Sequence, residues 1–205
     1  MLDRHIHPRV KPALNQLASW LDKPGITPDG LTLTGFAAGV LTLPFLALGW
    51  YPAALVAIVV NRLLDGLDGA LARRRGLTDA GGFLDIALDF LFYALVPFGF
   101  ALAAPAENAL AAAWLLFAFI GTGSSFLAFA ALAAKHNIDN PGYAHKSFYY
   151  IGGLTEGTET IVLFVLCCLF PAHFTLLAWV FGALCWLTTT TRIWSGYLTL
   201  RSLTP

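Results

Sequence analysis

The sequence predicts an all-α, polytopic membrane bundle of six transmembrane helices, preceded by an amphipathic helix that lies in the interface. Three observations lead there. Hydrophobic residues make up 58% of the 205 residues and charged residues only 12%, with a mean hydropathy of +0.70; that charged fraction is about half the soluble average. The apolar residues gather into six stretches, each about long enough to cross a bilayer as a helix. The twelve lysines and arginines fall on one side of these stretches, or in the helix halves facing that side. One domain over residues 1–205 is expected. The formal net charge of zero gives no electrostatic case for a nucleic acid partner.

Residues 1–28 carry Leu2, Ile6, Val10, Leu14, Leu17, Trp20 and Leu21 among charges, at near-helical spacing broken by Pro8 and Pro12. An interfacial amphipathic helix is predicted, with a loosely ordered tail as the alternative. Arg4, Arg9 and Lys11 precede any apolar run, so no cleavable signal peptide is expected. Pro24 to Asp29 forms a turn, and Asp29 is a plausible cap for the next helix. The six spans of the 31–200 region follow. Residues 31–48 are uncharged, with Pro44 a potential kink. Residues 52–73 are apolar first and polar later, and residues 81–103 the reverse, with Asp79 as a cap. Residues 108–134 contain Gly121, Gly123, Ser124 and Ser125, which allow close packing. Residues 147–170 and 174–200 complete the set. Cys167, Cys168 and Cys185 lie in apolar runs as buried free thiols.

Orientation follows from charge. Arg4, Arg9, Lys11 and Lys23 precede the first span, Arg73, Arg74 and Arg75 lie between the second and third, and Lys135 and Lys146 bracket the loop between the fourth and fifth. The opposite loops, around Trp50, Glu107 and His173, carry no Lys or Arg. The positive-inside rule puts both termini on the cytoplasmic side of what reads as a bacterial-type inner membrane.

Four aspartates stand out against this background. Asp65 and Asp68 share one helix face at i,i+3, and Asp85 and Asp89 share another at i,i+4. The short connection between the helices makes them antiparallel neighbours. Asp65 and Asp89 each lie eight residues from it, on the order of 12 Å at helical rise. The four carboxylates should meet at one depth, at the cytoplasmic edge of the membrane. Unpaired there, they would be very costly. Divalent ions are the natural remedy: two Mg²⁺ would neutralise four carboxylates and still attract a diphosphate.

Asp65-x2-Asp68-Gly69-x2-Ala72-Arg73, followed by Gly81-x3-Asp85-x3-Asp89, resembles the signature of the CDP-alcohol phosphotransferases, or CDP-alcohol phosphatidyltransferases. Two departures are visible. Seven residues separate Arg73 from Gly81 where the family has eight, and Thr27-Pro28-Asp29 stands where members commonly show Thr-Pro-Asn. The resemblance implies a six-helix membrane fold, a homodimer, and transfer of a phosphatidyl group from CDP-diacylglycerol to an alcohol with release of CMP. It implies that Asp65, Asp68 and Asp85 hold Mg²⁺ or Mn²⁺, two ions in all. Asp89 would assist them and act as general base on the acceptor hydroxyl.

Around the motif several residues have two readings. Gly69 and Gly81 permit close helix packing or, beside the motif, approach of the CDP moiety, with Ala72 small for the same reason. Arg73 can fork onto phosphate or a carboxylate; Arg74 and Arg75 read as interfacial anchors. Arg62, one turn before Asp65, is a salt-bridge partner for Asp65 or a contact to an acceptor phosphate, whereas Asn61 should point elsewhere. Glu156 and Glu159, expected one turn apart within a helix, line an acceptor pocket or a polar seam with Arg192. Lys146, Arg192, His136 and His145 are candidate phosphate ligands. A phosphorylated polyol such as glycerol 3-phosphate or inositol phosphate would suit both sets. Two alternatives remain at this stage: transfer from CDP-choline or CDP-ethanolamine to diacylglycerol, and an intramembrane-carboxylate cation transporter.

Overall fold

A computed structural model describes residues 3–136, 138 and 153–202, all helix and connections with no strand among them. The helices are α1 (Asp3–Leu21), α2 (Pro28–Val40), α3 (Thr42–Ala47), α4 (Tyr51–Arg75), α5 (Asp79–Ala103), α6 (Pro105–Lys135), α7 (Gly157–Leu169) and α8 (Phe174–Arg201), with a 3-10 turn at Pro171–His173 before α8. Among the described residues four stretches are long and apolar enough to cross a membrane: 28–47, 79–103, 105–135 and 171–201. The all-α membrane bundle is as predicted. α4 has the length to cross, but its second half carries the charges.

Four local expectations are corrected. The first span is two helices, because the chain breaks at Leu41. Pro44 has no N–H to return to the Val40 carbonyl and its ring crowds that carbonyl, which favours a break one turn before it. The cap of α2 is Thr27, whose hydroxyl accepts from Gly30 N, with Pro28 at the first helical position and Asp29 in the first turn. The cap of α5 is likewise Thr78, accepting from Gly81 N, rather than Asp79. Finally, residues 153–156 are not helical, and α7 begins only at Gly157. The expected start at residue 147 lies outside the described residues.

The centre is aromatic. Phe92, Phe100, Phe164 and Phe174 are fully buried, and Phe100 stacks on Phe174 with centroids 4.4 Å apart. Cys167, Cys168 and Cys185 are free and buried in this core, as expected. Large apolar side chains such as Val56, Phe83, Leu110 and Ile120 point outward, the pattern of helices whose solvent is lipid. Small residues bring helices together: a Cβ on Gly123 of α6 would meet Phe90 of α5.

Two contacts organise the charged end. α2 packs against both α4 and α5, while α4 and α5 make almost no direct backbone approach to each other. The helical hairpin is therefore splayed, and α2 bridges it. α1 is helical through both prolines and crosses α4, with Ala18 buried and Leu14 on Gly66. Asp22, just after α1, accepts from Arg75 Nε at 2.8 Å and from Arg74 Nε at 3.3 Å. Arg75 also donates to the carbonyls of Lys23 (3.0 Å) and Ile26. The two arginines expected as interfacial anchors thus tie the α1–α2 turn to the end of α4.

Arg75 and Arg74 hold the Asp22 carboxyl below its ordinary value. A depressed carboxyl contributes stability above its unfolded-state pKa and loses it as pH falls through the folded value. Asp22→Asn should therefore speed hydrogen–deuterium exchange in residues 9–21 relative to wild type at neutral pH. The difference should vanish at a pH below the carboxylate range, where the wild-type side chain is itself protonated.

Candidate metal centre

Asp65 and Asp68 face Asp85 across the splayed α4–α5 hairpin. One carboxylate oxygen from each of the three lies within 4.8 Å of the others. Asp68 is only 4% exposed, and its Oδ2 accepts from the Thr32 hydroxyl at 2.5 Å. Thr32 is 3.1 Å from the Pro28 carbonyl as well; with one proton to give, the shorter contact places it on Asp68. Three hard oxygen donors of this kind suit a divalent ion such as Mg²⁺ or Mn²⁺.

Asp89, expected as a fourth ligand, is outside that three-oxygen group but lines the same pocket as Asp65 and Asp85. Its Oδ1 accepts from Arg62 Nη2 at 2.7 Å, and Arg62 Nη1 lies 3.4 Å from Asp65 Oδ2. The anticipated Arg62–Asp65 pair is present, but Asp89 is the closer partner. Asn61, expected to point away, instead accepts from Arg62 Nε at 2.7 Å through Oδ1 and donates to the Gly35 carbonyl at 2.9 Å through Nδ2. The guanidinium also lies over the rings of Phe92 and Tyr93, 4.8 and 5.6 Å from their centroids. A Cβ on Gly39 would sit 2.9 Å from Asn61 Nδ2 and 2.8 Å from Phe92, so α2 reaches this position only because residue 39 has no side chain.

Thr32, Gly35 and Gly39 thus form one face of α2 against the site, at helical spacing. That small and polar stripe is the sequence signal that would have found them. Of the other motif residues, Gly69 lies beneath the Arg73 guanidinium, where a Cβ would be 3.3 Å from Nη1, and Gly81 faces Asp29 Oδ1 at a corresponding 3.1 Å. Both glycines therefore border polar groups at the charged end rather than a tight helix seam. Ala72 is half-buried one residue before Arg73.

The residues expected on the acceptor side divide. Glu156 and Glu159 form a reciprocal capping box at the start of α7: Glu156 is the cap, and its backbone N–H donates to Glu159 Oε2 at 3.1 Å. They do not share a helix face, because Glu156 precedes the helix. Gly153 N also donates to Glu156 Oε1 at 3.0 Å, and Leu154 N and Thr155 N both donate to the Thr188 hydroxyl of α8 at 3.1 Å. Buried Arg192, one turn along α8, donates to the Thr122 carbonyl at 3.3 Å. Tyr93 connects the two regions, touching Arg62 with its ring and approaching Gly157 with its hydroxyl. His136 is exposed at the end of α6. Lys146 and His145 lie outside the described residues.

Thr32→Val should lower Mn²⁺ affinity by about 10-fold, the scale of losing an outer-shell partner, while Thr32→Ser should retain it. Titration of the purified protein in micelles checks this.

Comparison with known proteins bears on the fold and the family. The chain is 83% identical over 203 residues to the inner membrane protein YnjF of Escherichia coli, covering 99% of this chain and 98% of that one. It is 41% identical over 98 residues to an archaetidylinositol phosphate synthase of Pyrococcus horikoshii, covering 47% of this chain and 52% of the other. The fold is that of the phosphatidylinositol phosphate synthase PgsA1 of Mycobacterium tuberculosis, solved with manganese and citrate: TM-score 0.72 at 22% identity over 90% of this chain and 88% of that one. A second structure of that protein, with CDP-DAG bound, superposes with a TM-score of 0.67. Residues 25–194 match the CDP-alcohol phosphatidyltransferase family, most of the chain and the whole aspartate motif, and the protein is a membrane enzyme of that family.

Proposed function

We propose that the protein transfers the phosphatidyl group of CDP-diacylglycerol to the hydroxyl of a phosphorylated polyol, such as glycerol 3-phosphate or inositol phosphate, and releases CMP. The observation that supports this most directly is the convergence of Asp65, Asp68 and Asp85 oxygens at the charged end of an otherwise apolar bundle. These three residues would hold Mg²⁺, with Mn²⁺ able to replace it. When bound, the metal neutralises the donor diphosphate and the charge that develops on the leaving CMP.

The rest belongs to the chain. Gly69, Ala72 and Gly81 leave room for the CDP moiety, and Arg73 offers its guanidinium to the phosphates. Asp89 takes the proton of the acceptor hydroxyl as that oxygen forms its bond to the phosphorus bearing diacylglycerol. The bond from this phosphorus to the bridging oxygen breaks, and the electron pair leaves with CMP. Most of the acceleration is positioning and charge compensation. We place the acceptor between Tyr93 and the entrance of α7, with Glu156, Glu159 and Arg192 as its wall and Lys146 as a further phosphate ligand. Support comes from the proximity of Gly157 to Tyr93, which itself touches Arg62. The one-sided lysines and arginines favour an active site and both termini on the cytoplasmic side, where soluble acceptors are met. We take the working unit to be a single-domain chain in a homodimer. Membership of a transferase family removes the cation-transporter alternative.

Activity should disappear with EDTA and return with Mg²⁺ or Mn²⁺. Asp68→Asn and Asp85→Asn should each lower turnover by at least about 100-fold, beyond the usual effect of an outer-shell change, while the protein still inserts in the membrane. The decisive assay incubates CDP-diacylglycerol with single acceptors and identifies the lipid products by mass. Full activity after metal stripping, or no product with any phosphorylated polyol, would overturn the proposal.

A further inference from the structure

Arg62 is restrained at each of its nitrogens and on its face. Asp89 and Asp65 take its two terminal nitrogens, Asn61 takes Nε, and Phe92 and Tyr93 lie against its face. Asn61 is itself fixed by the Gly35 carbonyl, so the backbone of α2 sets the direction of the guanidinium. The charge is permanent, since an arginine keeps its proton throughout the accessible pH range.

The location of this cation matters more than its restraint. Asp65 supplies one oxygen to the Asp65–Asp68–Asp85 group, and its Oδ2 also faces Arg62. Asp89, on the opposite helix, turns an oxygen to the same guanidinium. A second divalent ion drawing on Asp89 and Asp65 would compete with Arg62 for these two carboxylates.

Formal charges point the same way. The four aspartates and Arg62 together carry −3. One divalent ion leaves −1, whereas two would leave +1, with three cationic groups crowded around Asp65 and Asp89. The diphosphate of the donor brings two further negative charges. With it present, one ion leaves −3 and two restore −1, the balance of the resting site. Like charges at such separations in a weakly polar setting are strongly disfavoured.

Resting on the metal-dependent reading above, we propose that Arg62 occupies the second-ion position in the resting enzyme, so that the second divalent ion enters only with the donor diphosphate. Arg62 is then a positioning residue that orders loading: first ion, then donor and second ion together.

The test counts Mn²⁺ bound per chain in nanodiscs with and without CDP-diacylglycerol, after subtracting protein-free discs of the same lipid. Wild type should hold one ion without donor and two with it. Arg62→Met, which keeps the apolar stem and removes the charge, should hold two without donor. Two ions in donor-free wild type, one ion in donor-loaded wild type, or a donor-free Arg62→Met count equal to wild type would each overturn the inference. The wild-type pair of measurements can overturn the inference even if the variant does not fold. Absence of any bound ion in wild type, with or without donor, would instead remove the metal-dependent reading itself, and this inference with it.

Discussion

Carboxylates brought together at the edge of an apolar bundle repel one another and lose hydration, and the surrounding packing answers both costs. Thr32 gives Asp68 a proton to accept, and Arg62 gives Asp89 and Asp65 a counter-charge. Neither helix of the acidic hairpin could do this alone, because the Thr32 hydroxyl and the carbonyl that orients Asn61 both come from α2. Direct packing of α4 on α5 would close the space between the aspartates. Instead α2 touches both helices and sets their separation, so the site is a gap held open by a third element.

This arrangement explains why the face of α2 toward the site is made of small and polar residues. Gly39 admits Asn61 and Phe92, and Gly35 exposes its carbonyl to Asn61. The break at Leu41 then frees α3 to turn onto α5, against which it packs. A continuous helix would have had to satisfy the α4 and α5 contacts along one straight axis. At the charged end, Asp22 and Arg75 secure α1 beside Gly66, next in sequence to Asp65. The site is therefore braced from two directions.

What could be read from the sequence divides along physical lines. Helix identity and the carboxylate cluster were legible, because hydropathy and the i,i+3 and i,i+4 spacings are local properties. Membership of a family followed from residues at fixed spacing. The side-chain partners were not legible in the same way. Asn61 and Arg62 are adjacent and leave the helix in different directions, yet the long arginine side chain folds back to donate to the Asn61 side-chain oxygen Oδ1; that depends on packing, not on helical phase. Thr32 reaches Asp68 across thirty-six positions. The Glu156–Glu159 pair shows the opposite failure: its spacing suits one helix face, and it also suits a capping box, which is the form it takes. Periodicity alone cannot separate a helix interior from a helix start.

The burial of all three thiols has a consequence for the redox behaviour of the molecule. Cys167, Cys168 and Cys185 sit in the aromatic core on α7 and α8, away from the aspartates. A thiol buried in a packed apolar core is inert, because reagents cannot reach it. Oxidants and alkylating reagents therefore meet no ready sulfur among the described residues. The enzyme should be indifferent to the thiol–disulfide balance of its surroundings, and a single cysteine introduced on an exposed position should react selectively without removal of the native ones.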